Sequence, residues 1–258
     1  MMKTTKILFF TLIALAFMAC SNDDTHRVGF YLTDAPADQD IEAVYIDVQA
    51  VRYNTNGENW TELDITPTIV NLLDYSNGKD TLLSAIELEA GIKIHQVRLL
   101  LGTENSIQFK DGSTVAIKTP SAQESGLKLN VQSYAEVNGS YKVVIDFDAS
   151  RSIVKQGNGG YLLKPVIRSY ITANSSRIYG LISPADVATR IFTTTLQGDT
   201  IATVSDTLQN NYFELHGLNT GAYSIMAQDL YTGDVDTLRT NISVIGGMDV
   251  DLGVLTLP

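Results

Sequence analysis

Runs in which apolar and polar residues alternate one by one recur along this chain, and that period limits what it can fold into more than any other feature. Val44-Tyr45-Ile46-Asp47-Val48-Gln49, Val143-Val144-Ile145-Asp146-Phe147-Asp148 and Met248-Asp249-Val250-Asp251-Leu252 each set apolar side chains on one side of an extended backbone and polar ones on the other. A strand patterned this way buries one face and wets the other. Turn pairs punctuate the runs: Asn56-Gly57, Asn77-Gly78, Asp111-Gly112, Asn138-Gly139, Gly198-Asp199 and Gly233-Asp234. Several have apolar stretches on both sides, which favours tight hairpins. The spacing predicts an all-β chain of antiparallel β-sandwiches. Helical signal is weak, and its best candidate is one or two turns across residues 80–88, with Asp80 or Thr81 as N-cap.

A small polar run, Ala173-Asn174-Ser175-Ser176, separates strand-like residues 166–171 from a fresh strand at 178–182. Two β-sandwich domains in tandem are expected from it, residues 28–172 and 177–258, each long enough to bury a core without help. Cys20 is the single cysteine, so no disulfide forms within the chain and packing alone must hold it. A formal charge of −11 repels phosphate backbones and anionic lipid, which argues against nucleic-acid partners.

Cys20 stands directly behind a short apolar run. Lys3 and Lys6 precede residues 7–19, about a dozen of them apolar, where a membrane-crossing helix needs roughly 20. Residues 1–19 therefore read as an export signal, Cys20 as a lipidated residue and residues 20–27 as a polar tether. Each buried acyl CH₂ contributes about 0.8 kcal/mol, so two or three chains hold a protein at a membrane. The segment resembles bacterial lipoprotein signals, especially those of Bacteroidetes, although Phe17 stands where Leu is commonest. Ser21-Asn22-Asp23-Asp24 resembles the acidic tetrapeptide that sends such lipoproteins to the outer face of the outer membrane. These resemblances imply a chain anchored in the outer membrane by its lipid and facing outward.

Three further segments carry a family resemblance: Gly29-Phe30-Tyr31-Leu32-Thr33-Asp34-Ala35-Pro36-Ala37-Asp38, Glu89-Ala90-Gly91, and Asp146-Phe147-Asp148-Ala149-Ser150-Arg151-Ser152 running into Tyr161-Leu162-Leu163-Lys164-Pro165-Val166-Ile167. In this order they resemble the DUF4382 family of bacterial and archaeal surface proteins, which has no assigned function. Beyond residue 177, Ile178-Tyr179-Gly180-Leu181-Ile182, Asn211-Tyr212-Phe213-Glu214-Leu215, Gly217-Leu218 with Gly221-Ala222-Tyr223-Ser224-Ile225, and a last strand ending Leu252-Gly253 are similar to the carboxypeptidase regulatory-like domain, a small transthyretin-like sandwich. Asn211 replaces the usual Gly, and Asn tolerates the left-handed backbone such a turn asks for. This second resemblance implies an accessory spacer or docking module and not a catalyst.

Catalytic motifs are missing from the sequence. It holds no G-x-S-x-G elbow, no H-E-x-x-H and no P-loop. His26, His95 and His216 lie far apart and read as packed or surface residues; with Cys20 lipidated, no zinc or thiol site and no cofactor is implied. Gly157-Asn158-Gly159-Gly160 leads into Tyr161-Leu162-Leu163 and reads as a hairpin connection, not a phosphate cradle.

One acidic constellation stands out. Asp146 and Asp148 share a strand face, about 7 Å apart at their origins, and Asp34 and Asp38 follow the first strand. Brought together, the four would offer oxygen ligands to Ca²⁺. The preferred reading pairs these carboxylates with Arg151, Lys164 or Arg168 and has Asp34 cap its own turn before Pro36. Trp60 closes a hairpin from Tyr53 and is expected to pack across onto it, whereas a sugar platform would keep it exposed. The expectation is a non-catalytic surface protein acting in adhesion or in binding a protein or glycan partner. A glycan-binding lipoprotein and a metal-dependent hydrolase are the alternatives, and a convergent, partly buried carboxylate cleft would favour an enzyme.

Overall fold

The computed structural model describes residues 25–35, 40–119, 126–131, 139–157, 159–196 and 198–258. Two long strands, β1 (Thr25–Ala35) and β2 (Ile41–Asn54), carry the two sheets of an N-terminal unit. Strands β3 (Thr61–Glu62) and β4 (Thr68–Asn71) fold back on β2, and β5 (Thr81–Glu89) runs antiparallel to β1. With β6 (Gln96–Leu101), β7 (Ser106–Phe109), β8 (Thr114–Ala116) and β9 (Leu127–Asn130), β2 forms a sheet of order β8-β7-β2-β6-β9. Strand β10 (Tyr141–Asp148) then returns beside β1, β11 (Ile153–Lys155) and β12 (Tyr161–Leu163) make a small ribbon, and β13 (Ile167–Ile171) completes the order β13-β10-β1-β5.

A C-terminal unit follows. It contains β14 (Ser176–Ser183), β15 (Thr189–Thr194), β16 (Thr200–Val204), β17 (Tyr212–Leu218), β18 (Gly221–Asp229), β19 (Val235–Val244) and β20 (Val250–Thr256). These make the sheets β17-β14-β20 and β16-β15-β18-β19. The chain is thus all-β and mostly antiparallel, with β1–β10 and β14–β20 as parallel pairs.

Alternation in sequence becomes the inside and outside of these sheets. Val28, Phe30 and Leu32 of β1 and Val143, Ile145 and Phe147 of β10 point inward to meet Val44, Ile46, Val97 and Leu99 of the facing sheet. A separate core gathers Ile178, Ile191, Phe213, Leu215 and Ile225. Burying one such side chain is worth about 1.5–3 kcal/mol.

Two expectations are corrected here. Residues 80–88 form β5 and not a helix. Ser84 lies opposite Phe30 and Leu82 opposite Tyr31, so Leu83 is the extra residue of a bulge. That slip sets the core-packed Leu83 and Ile86 three apart, a spacing that imitates a helix. Residues 25–27, expected in a polar tether, belong instead to β1, which begins at Thr25. His26 is already buried there, its ring centroid 5.5 Å from that of Tyr141.

Asn211, fully buried, adopts φ +59° and donates through its side-chain amide to the carbonyls of Pro184 (2.9 Å) and Val187 (2.8 Å). Asn211→Ala should therefore cost about 2–4 kcal/mol, from two stranded carbonyls and a strained backbone. Asn211→Gly should recover roughly 1 kcal/mol of that by relieving the backbone alone. Urea unfolding of both variants checks this, and equal losses would show that the left-handed backbone carries none of the cost.

Candidate functional site

The outward face of the sheet β13-β10-β1 is polar because its residues alternate with the core. Tyr31 and Thr33 of β1, Lys142 and Asp146 of β10, and Arg168 and Tyr170 of β13 lie on this face. The C-terminal unit lies across it. Between the units is a cleft of about 330 Å³ bordered by Thr33, Asn77, Lys79, Asp80, Lys142, Asp146, Arg177, Glu214 and His216.

Arg168 joins the two units. It stands opposite Asp146 in the β10–β13 ladder and forms an ion pair with it. Its Nη2 donates to the carbonyl of His216 (2.7 Å), its Nη1 to that of Gly217 (3.2 Å), and its guanidinium lies 4.9 Å from the centre of the Tyr170 ring. Gly217 is needed for this approach. It has φ +72°, and a Cβ there would sit 2.5 Å from Arg168 Nη1 and 2.6 Å from Tyr170 Cδ1. A second tie comes from Asn77, whose turn (φ +52°) aims its amide at the carbonyl of Tyr212 (3.1 Å).

Glu214 organises the other wall. It accepts from Arg177 Nη1 (2.8 Å) and Tyr212 Oη (2.7 Å) and lies against His216 Nε2, while Arg177 Nε reaches Asp249 at 2.7 Å. Burial alone would raise this carboxyl, but hydrogen bonds from His216, Arg177 and Tyr212 outweigh it and bring the pKa down to about 2. Asp146 moves the opposite way: burial pushes it up, and Arg168 offsets only part of the rise. Burial also raises the Tyr170 and Tyr212 hydroxyls, so both stay neutral. Lys142 Nζ bonds Asp80 Oδ2 at 2.6 Å and lies 4.2 Å from the centre of the Tyr31 ring.

The carboxylates predicted as a cluster take separate roles. Asp146 faces the cleft and pairs with Arg168, one of the three cations named for it. Asp148 caps the short helical turn Ala149–Ser152, accepting from Arg151 N (3.0 Å) and Ser150 Oγ (2.8 Å). Asp34 accepts from Ala149 N at 3.0 Å and so binds the end of β1 to that same turn. Asp38 and Cys20 lie outside the described residues. Among the described residues, no group of three or more His, Cys, Asp or Glu side chains is placed to hold a metal ion.

Trp60 has a different neighbour from the one expected. The Arg98 guanidinium lies 4.2 Å from its ring centre, whereas Tyr53 turns toward Phe30 in the core, with ring centroids 5.7 Å apart. Sequence reasoning missed Glu214, His216 and Gly217 as a site. The available signal was Glu214-Leu215-His216, an acid and a histidine two apart on one strand face.

The cleft does gather partly buried carboxylates, but they are committed within the protein. Glu214 is ionised and bonded three ways, and Asp146 is held by Arg168.

Because the folded-state pKa of Glu214 lies below its ordinary 4.5, its contribution is complete above that value and fades as the pH falls towards about 2. The difference corresponds to about 3 kcal/mol. Glu214→Gln should lose this increment at neutral pH and flatten the stability curve between pH 4.5 and 2. Urea titrations across that window check it, and parallel curves for the two proteins would contradict it.

No curated protein matches this chain. Among solved structures, it has a likeness to a leucine-rich repeat protein from Bacteroides thetaiotaomicron, with 10% identity and a TM-score of 0.20 over 91% of this chain and 26% of that one. The Bacillus anthracis TIE protein shares 12% identity and a TM-score of 0.22, over 89% and 40% of the two chains. A fimbrial protein from Bacteroides ovatus gives 8% and 0.22, over 91% and 50%. The chain thus spans half or less of each of these proteins, and overlaps this slight carry no argument about fold or role. Residues 25–165, more than half of the sequence, match the family described as a domain of unknown function (DUF4382), and the chain belongs to that family.

Proposed function

We propose that this is a non-catalytic surface protein, held at the outer membrane through a lipid on Cys20 and facing outward, that acts in adhesion or in binding a partner. The observation that carries the non-catalytic reading is the commitment of the cleft's charges. Asp80, Asp146 and Glu214 each bond Lys142, Arg168, Arg177 or His216 of their own unit, so these charges are taken up within the protein. Two domains, residues 28–172 and 177–258, follow from the composition shift at 173–176, and the separate cores support that division. The similarity of the second to the carboxypeptidase regulatory-like domain supports a docking or spacer role for it.

Anchoring is supported by Lys3, Lys6, the apolar residues before Ala19, and Cys20; outward orientation is supported by Ser21-Asn22-Asp23-Asp24. A protein partner is favoured over a glycan because Arg98 covers a face of Trp60 that a sugar would stack on.

Detergent phase partition tests the anchor. The wild-type chain should enter the Triton X-114 phase and be digested by protease added to intact cells, and Cys20→Ala should stay in the aqueous phase or remain unprocessed. Wild-type protein in the aqueous phase would refute the anchor, and resistance to external protease would refute the orientation.

A further inference from the structure

Strand β14 starts at Ser176, where the units join, and the loops at its far end connect β14 to β15, β16 to β17 and β18 to β19. Hydrogen bonds bring these three loops side by side. Asn211 of the second holds the Pro184 and Val187 carbonyls of the first, Thr189 N donates to Ser205 Oγ (2.9 Å), and Thr189 is the ladder partner of Asp229, where the third loop begins.

Carboxylates shape the tips. Asp206 accepts from Leu208 N (2.9 Å), and Asp229 accepts from Tyr231 N (2.7 Å) and Thr232 N (2.8 Å). What these built turns display is apolar: Leu208 is 95% exposed and Tyr231 84%, with Val187 and Val235 partly exposed nearby. Exposed apolar side chains rimmed by polar ones mark interaction surfaces, and tyrosine is enriched among residues that anchor them. The rim here is acidic. Asp186, Asp234 and Asp236 join the two turn carboxylates against one cation at this end among the described residues, Arg190, which bonds Gln228 beside Asp229 (3.2 Å). Residues 176–258 hold nine Asp or Glu against three Arg and no Lys.

We propose that this end of the C-terminal unit docks a basic protein segment that also carries apolar side chains. Its apolar residues would seat on Leu208 and Tyr231, and its Lys or Arg residues on the surrounding carboxylates. Charge selects this occupant: an anionic bilayer, a nucleic acid or the same end of a second copy would each bring like charge onto the rim. The proposal deepens the partner-binding reading above and does not depend on the lipid, so the Cys20→Ala result leaves its test untouched.

The test uses the full chain in a neutral detergent, immobilised, with three synthetic 15-residue probes alternating Lys with Leu, Glu with Leu, and Lys with Ser. Binding of the Lys/Leu probe is expected to exceed that of the other two at least tenfold. It should fall at least tenfold in Leu208→Ser/Tyr231→Ser, and become less salt-dependent in Asp234→Asn/Asp236→Asn. Thermal melts of both variants should match the native chain, since all four residues are exposed. Equal Lys/Leu binding by native and Leu208→Ser/Tyr231→Ser proteins, or equal binding of the Glu/Leu probe, would overturn the proposal. So would adsorption to phosphatidylglycerol vesicles, or a concentration-dependent dimer, that is abolished by Leu208→Ser/Tyr231→Ser.

Discussion

Arg168 is the guanidinium through which the two units are joined, with Asn77 as a second tie. Arg168 and Asp146 are largely withdrawn from water, with side chains 18% and 14% exposed, and burying such a pair has a large desolvation cost that their attraction must offset. Arg168 does more than neutralise Asp146, because its remaining N–H groups satisfy carbonyls of His216 and Gly217 across the interface. Removing either charge would leave the other buried, which typically costs about 3–5 kcal/mol. The pair therefore adds little to stability beyond what an apolar contact would supply; it is Arg168's bonds to the His216 and Gly217 carbonyls, made with Gly217 against Tyr170, that relate the two units.

This joint explains why the cleft has the character it does. A sandwich with one wet face can leave that face to solvent or set another body on it. Here the β13-β10-β1 face receives the C-terminal unit, and the charges along the seam are matched within each unit: Lys142 with Asp80 in the first, Arg177 with Glu214 and Asp249 in the second. Positive charge in the C-terminal unit is scarce, and Arg177 is used at this seam. The acidic excess is left for the opposite end, around Leu208 and Tyr231.

Much of the architecture could be read from period-two patterning, because which face of a strand is buried follows directly from alternation. Residues 80–88 escaped that reading because one bulged residue, Leu83, shifts the phase and lends a strand the spacing of a helix. Asp146 and Arg168 were visible as candidate partners, since both stand in strongly patterned strands. Their reach to His216 and Gly217 was not visible, because it depends on how one sheet face meets another unit far along the sequence. Asn211 was legible through its backbone demand, and its φ of +59° answers that reasoning. Trp60 was misassigned because strand neighbours do not fix where a ring turns once the core, through Phe30, claims Tyr53.

The central claim is that Arg168 holds the two units in one orientation. Electron–electron distance measurements between spin labels at Glu87→Cys and Thr240→Cys, two exposed positions on different units, test it most directly. A single narrow distance distribution is expected with Arg168 present, broadening in Arg168→Met while each unit stays folded. A broad distribution in the native chain, or a narrow one that survives Arg168→Met, would contradict the account.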